Sequence, residues 1–246
     1  MKWIKYLFSS IWRFWFLTSF IIVFILLIPL LFIFTAIIKN TLIVNYIMKY
    51  WSAGFLLLSG VFWKVEYEEK LDPNKKYIFC PNHVSSLDIP IISVAIKLPV
   101  IFMGKKELTK IPIFGYFYKN NSVIVDRSKI RDSYSAFIKA GESIDNGINI
   151  CIFPEGGIPN KKVFLKKFKN GAFKLATEKN IEIVPITLAD NKMRFPQEYY
   201  KGSPGIVRIK VHKPINIKEK NEKTIENLNL LTYNTIFDQL KLYENN

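Results

Sequence analysis

Residues 14–38 contain no charged side chain, while Lys2, Lys5 and Arg13 precede the run and Lys39 closes it. As a helix rising about 1.5 Å per residue, the run is about 37 Å long, more than the roughly 30 Å hydrocarbon core of a bilayer. Such a segment is expected to enter a membrane. It exceeds the usual apolar region of a signal peptide, and FTAIIKN offers no small-residue cleavage site, so the segment is expected to be retained. Residues 42–63 form a second apolar stretch, but Lys49 lies within it, and placing a lysine at the bilayer centre costs about 2.5–3.5 kcal/mol. An interfacial or re-entrant position is therefore expected there. Tyr46, Tyr50, Trp51 and Trp63 suit headgroup depth, where Lys49 can snorkel. A single span with its basic N-terminus inside would leave the rest of the chain outside, whereas a hairpin, with Pro29 as a kink and Lys39-Asn40 as the turn, or an anchor inserted from one face, would keep it on its starting side. Residues 1–63 are expected to be a membrane anchor and residues 64–246 a separate domain.

The remainder is long enough for one domain with a sizeable core, since half of the 246 residues are hydrophobic. A formal charge of +15 calls for an acidic partner. Nucleic acid, anionic headgroups and acidic carrier molecules all meet that demand. The two cysteines, Cys80 and Cys151, lie in apolar runs, too few and too far apart for a disulfide framework or a zinc site. They are read as buried free thiols.

The stretch YIFCPNHVSSLDIP, residues 77–90, holds the chemistry. Tyr77 to Cys80 read as a buried strand, Pro81 and Asn82 end it, and Ser85 or Ser86 is placed to cap a helix continuing through Ile96. His83 falls in the turn, with Asp88 early in the helix. At that spacing the carboxylate can meet the imidazole, fix its tautomer and stabilise the imidazolium formed when the other nitrogen takes a proton. A substrate that brings its own hydroxyl needs no serine or cysteine nucleophile.

Around this stretch, strands are expected at residues 62–67, 100–103, 123–125, 148–153, 181–188 and 205–212. Helices are expected at residues 130–146, 168–179 and 223–243. The first of these helices places Tyr134, Phe137, Ile138, Gly141 and Ile144 on one face, and the last is amphipathic. Residues 111–118 form an apolar and aromatic segment too short to assign. The alternation argues for an α/β fold, a mixed sheet flanked by helices. Pro185 is expected at a sheet edge or strand end. His212 has no neighbouring pattern and reads as a surface residue.

NHVSSLD is followed by KKEL at residues 105–108, VIVDR at 123–127, FPEG at 153–156 and VPI at 184–186. In this order the blocks resemble the glycerolipid acyltransferase family, whose best-known members are the 1-acylglycerol-3-phosphate acyltransferases. The resemblance covers roughly residues 75–190, and the joint occurrence is more specific than any single block. It implies a glycerol-3-phosphate acyltransferase-like fold with an N-terminal helical anchor. It implies His83 and Asp88 as base and orienter, and Arg127 and Lys105 on the phosphate of the acceptor lipid. A guanidinium can grip a phosphate through two parallel hydrogen bonds, which lysine cannot reproduce. Glu155 and Gly156 are implied in acceptor binding, where their loop presents a carboxylate and backbone N–H groups for the acceptor or an oxyanion.

The implied reaction moves an acyl group from acyl-CoA or an acyl carrier protein to the sn-2 hydroxyl of lysophosphatidate. No metal or organic cofactor is required. Membrane lipids are the implied partners, nucleic acid is not expected, and the implied location is the cytoplasmic face of the inner membrane. The chain departs from the family where FPEG commonly continues with threonine and arginine, for it has Gly157 and Ile158. Lys161, Lys162, Lys166 or Lys167 would have to compensate. Otherwise the acceptor is another lysolipid, such as lyso-ornithine lipid. A reading from another class, a non-catalytic membrane-anchored basic binding protein, rests on the lysine-rich runs. These lack the aromatic spacing of single-strand binders and any groove-reading motif. Nor does the chain carry a G-x-S-x-G elbow, a P-loop or a dinucleotide fingerprint.

Overall fold

A computed structural model describes residues 2–125, 130–160, 162–217 and 223–245. In chain order the elements begin with α1 (Lys2–Phe32), α2 (Thr41–Leu58), β1 (Val61–Tyr67), β2 (Tyr77–Pro81), α3 (Asp88–Ala95) and β3 (Val100–Lys105). They continue with α4 (Phe114–Asn120), β4 (Val123–Val125), α5 (Ile130–Asp145), β5 (Asn149–Cys151), α6 (Gly171–Lys179) and β6 (Glu182–Leu188). The last are α7 (Asn191–Arg194), β7 (Gly205–Val211) and α8 (Thr224–Glu244). The strands hydrogen-bond in the order β1-β7-β6-β2-β5-β3-β4. The β2–β5, β2–β6, β3–β4 and β3–β5 pairs are parallel. β7 runs against β6, with Ala189 N donating to Arg208 O and His212 N to Pro185 O. The sheet is therefore mixed, as the strand and helix alternation implies. The chain divides into two compact units.

The first unit comprises residues 1–66, 83–97 and 188–209. In it α1 and α2 form an antiparallel hairpin closed at the expected turn. A π-helical turn (Ile33–Ile37) ends α1, Lys39 takes a positive φ of 56°, and the Asn40 side chain caps α2 by accepting from Ile43 N. An asparagine supplies that cap because its short carbonyl reaches back to an otherwise unmet amide. Aromatic rings interlock the two helices. Phe20 and Trp51 lie 4.6 Å apart, Phe16 meets Phe55 edge-on at 5.5 Å, and Trp51 Nε1 donates to Phe20 O. Each such pair adds about 0.5–1.5 kcal/mol beyond the area it buries. Outward, α1 exposes Trp3, Ile4, Phe14 and Leu26, and both helices are long and apolar enough to cross a membrane. Lys49 donates from Nζ to Ile96 O at 3.1 Å, which gives its charge a polar partner within the apolar stretch.

The second unit comprises residues 67–82, 98–187 and 210–246. Its core gathers Ile78, Ile101, Ile150 and Ile183 from the strands with Ala136, Ala140, Phe173, Ala176, Ile236 and Leu240 from the helices. On α5 the expected face is rotated. Tyr134 and Ile138 are exposed, and Ala136, Ala140 and Ile144, four residues apart, are buried. Small side chains let that helix approach closely, so volume rather than hydrophobicity decides the face. Pro185 lies inside β6, not at an edge. Its carbonyl still takes part in the sheet, accepting from His212 N just beyond the end of β7. His212 is also corrected from surface to core. It is 3 % exposed, bonded through Nε2 to Thr187 Oγ1 at 2.8 Å and through Nδ1 to Glu68 at 3.1 Å.

Candidate active site around His83 and Asp88

β2 is buried along its whole length, and Asn82 N continues the strand's path by donating to Ile186 O at 3.3 Å. The chain then turns through His83 to Leu87 before α3 begins at Asp88. Neither Ser85 nor Ser86 caps α3. Ser85 Oγ instead accepts from Leu87 N and donates to Phe195 O, while the Asp88 carboxylate reaches back over the turn. Its Oδ2 accepts from Val84 N at 2.6 Å, from Ser85 N at 2.9 Å and meets His83 Nδ1 at 2.7 Å. The carboxylate thus organises the loop that carries the imidazole.

Both groups are buried, Asp88 completely and His83 to within 7 %. A carboxylate oxygen accepts from Nδ1, which selects for the neutral imidazole the tautomer with its hydrogen on Nδ1 and its lone pair on Nε2. Such an arrangement can accept a proton from a hydroxyl and hold the resulting cation against Asp88. The other Asp88 oxygen, Oδ1, accepts from Asn191 Nδ2 at 2.8 Å. Asn191 opens α7 directly after Asp190, whose carboxylate grips the Arg208 backbone amide and guanidinium in three bonds of 2.9 Å. Sequence reasoning did not single out Asn191. Its only signal was a polar triplet, Asp190-Asn191-Lys192, at the end of a buried strand.

The other residues singled out from sequence lie in the second unit or outside the described residues. Lys105 ends β3 with an exposed side chain, just before a 3₁₀ turn (Lys106–Lys110). Glu155 is fully buried, and its Oε2 accepts from Lys166 N at 3.0 Å, while Lys169 N donates to Pro154 O at 2.8 Å. The carboxylate therefore braces the loop from within. Gly156 and Gly157 both take positive φ, 74° and 154°, which a threonine at position 157 would hold only under strain. The Gly156 amide donates to Phe153 O at 3.0 Å within the turn. Lys162, Lys166 and Lys167 are exposed. Arg127 and Lys161 lie outside the described residues. Among the described residues no cluster of three or more His, Cys, Asp or Glu is placed to hold a metal ion.

The chain is similar to several known proteins. A family model described as Acyltransferase matches residues 63–189. A 1-acyl-sn-glycerol-3-phosphate acyltransferase of Borreliella burgdorferi is 29% identical over 187 residues, 76% of this chain and 74% of that protein. An uncharacterised acyltransferase of Schizosaccharomyces pombe is 32% identical over 169 residues, 68% of this chain and 61% of its own length. The 1-acyl-sn-glycerol-3-phosphate acyltransferase of Saccharomyces cerevisiae is 29% identical over 172 residues, 69% of this chain and 56% of its own. The chain thus spans less than two thirds of these two yeast relatives. The crystal structure of the 1-acyl-sn-glycerophosphate acyltransferase PlsC from Thermotoga maritima superposes with a TM-score of 0.79 at 21% identity, covering 99% of this chain and 98% of that one. At that identity the match establishes the fold.

Proposed function

Because this chain belongs to the acyltransferase family, we propose that it transfers a fatty acyl group from an acyl thioester to the sn-2 hydroxyl of lysophosphatidate, making phosphatidate for phospholipid synthesis. The observation that carries this reading is the buried 2.7 Å contact between His83 Nδ1 and Asp88 Oδ2. His83 Nε2 takes the hydroxyl proton as the oxygen attacks the thioester carbonyl, a C–O bond forms and the C–S bond breaks. The proton then passes to the departing thiolate. Asp88 holds the imidazolium between these steps.

In this proposal Arg127 and Lys105 take the acceptor phosphate, and Glu155 and Gly156 shape the loop beside it. The donor is acyl-CoA or an acyl carrier protein, either of which suits a chain of net charge +15. The acyl group comes from the thioester, so the proposed chemistry calls on no further cofactor, and nucleic acid has no part in it. The names of the Borreliella and yeast relatives support lysophosphatidate as acceptor. Gly157 and Ile158 favour a second acceptor reading, another lysolipid such as lyso-ornithine lipid, because the usual threonine and arginine are missing.

In this reading residues 1–63 are the membrane anchor, which the two apolar helices support, and residues 64–246 are the α/β domain, proposed to lie on the cytoplasmic face. A cysteine introduced at Lys70 should resist membrane-impermeant thiol reagents in intact cells, and ready labelling would reverse that orientation.

The deciding experiment is product analysis by mass spectrometry with detergent-purified wild type and His83→Ala, using both thioester donors and a panel of lysolipids. Phosphatidate from the wild type, reduced at least about a hundredfold in the variant, is expected. Near-normal activity in His83→Ala would overturn the mechanism, and transfer only to another lysolipid would replace the acceptor.

A further inference from the structure

We infer that Asn191 is a positioning residue for the dyad, its amide fixing the orientation and basicity of the carboxylate that holds His83. This rests on the reading of His83 as the base. The local loop supplies three donors to Asp88, and all three bond Oδ2. Among the described residues Oδ1 is met by Asn191 Nδ2, brought from 103 positions away. The carboxylate is thereby held at both oxygens and cannot turn about its Cβ–Cγ bond without breaking a bond at one of them.

The orientation of the Asn191 amide is forced, because a carboxylate accepts and never donates, so the NH2 group must face it. That leaves Asn191 Oδ1 buried without a hydrogen-bond partner. A buried amide satisfied on one side only contributes little to folding by itself, where an apolar side chain of similar shape would serve better. Its donated bond to Asp88 is the compensating feature. The donor is also rigidly mounted. Asp190 O accepts from Met193 N and Arg194 N, and the Asp190 carboxylate is paired with Arg208.

Without this donor the charge on Oδ1 is uncompensated, and the carboxylate pulls harder on the His83 N–H. Asn191→Leu keeps the branched shape and the number of heavy atoms, at somewhat larger volume, and removes the bond. Its kcat should fall about ten- to a hundredfold with the KM for donor and acceptor little changed, and the acid limb of its pH–rate profile should move to higher pH. Asn191→Asp should retain activity at the acid end of the wild-type plateau, where His83 can still act as base while the two carboxyl groups share a proton and one still donates. That activity should decline as the pH rises and the proton is lost, over a range where the wild type is flat.

The chain has two histidines, so 15N-histidine NMR reads both sites. The His83 Nδ1–H resonance should shift in Asn191→Leu while that of His212 stays fixed, which also certifies the fold. A folded Asn191→Leu with wild-type kcat, pH profile and His83 resonance would sink the inference. Should Asn191→Leu not fold, Asn191→Asp decides, and a wild-type pH profile there is equally adverse. Full activity in His83→Ala is a separate result, which removes the base reading and this inference together.

Discussion

The guanidinium of Arg13 lies over the Phe195 ring, 4.3 Å from its centroid, and donates from Nε to Lys201 O at 2.6 Å and from Nη2 to Pro196 O. Phe195 in turn accepts at its carbonyl from Ser85 Oγ, and the Ser85 amide donates to Asp88. A side chain from α1 thus holds the segment that braces the loop of the dyad.

Replacing Arg13 with alanine should remove two charge-assisted bonds and the ring contact, lowering stability by about 2–4 kcal/mol. Arg13→Lys should recover little of it, because an ammonium cannot stack and bond two carbonyls together. Thermal unfolding in detergent, read beside kcat, checks this. A several-fold loss of kcat with unchanged KM is expected below the unfolding temperature.

Asp88→Asn preserves shape but replaces one acceptor oxygen with a donor, so the imidazole loses either its tautomer or its anchor. Turnover should fall about 10²–10⁴-fold with the unfolding midpoint nearly kept. Steady-state kinetics and circular dichroism on the same preparation test the pair of expectations.

Asp190 titrates below its ordinary value of 3.8. Burial pushes it up, and the hydrogen bonds and charge of Arg208, with the charge of Arg194, outweigh that. A depressed carboxylate binds its proton more weakly folded than unfolded, so its stabilisation is fully present above the ordinary value and fades as the pH falls below it. Asp190→Asn should therefore be less stable than wild type at neutral pH, and the gap should close in acid below that value. Urea unfolding followed across pH measures it.

Cys80 and Cys151 are fully buried, and burial pushes the Cys80 thiol well up, away from the reactive thiolate. Iodoacetamide at neutral pH should leave both unmodified in the folded protein and alkylate both in denaturant, as intact-mass spectrometry will show.

What could be read from the sequence follows the distance over which each feature is encoded. The His83–Asp88 contact spans five residues in one turn, and the hairpin closes at Lys39-Asn40 because a positive φ and a side-chain cap are local properties. Asn191 was invisible, since nothing near it says that a carboxylate from α3 will lie against it. His212 looked idle for the same reason, because its partners Glu68 and Thr187 come from segments 144 and 25 positions away. The α5 face was read in part, with Phe137, Gly141 and Ile144 toward the core as expected, and misread where hydrophobicity and volume point to different sides, with Ala136 and Ala140 inside and Tyr134 and Ile138 outside.

The long span between Asp88 and Asn191 also sets an order of assembly during synthesis. A nascent chain emerges from its N-terminus and folds as it appears. One that stops before residue 191 already carries His83 and Asp88, yet lacks the far side of their cradle. By then the apolar N-terminal helices have had more than a hundred residues of elongation in which to find a bilayer. The partner that closes the cradle around Asp88 is therefore synthesised long after both apolar helices.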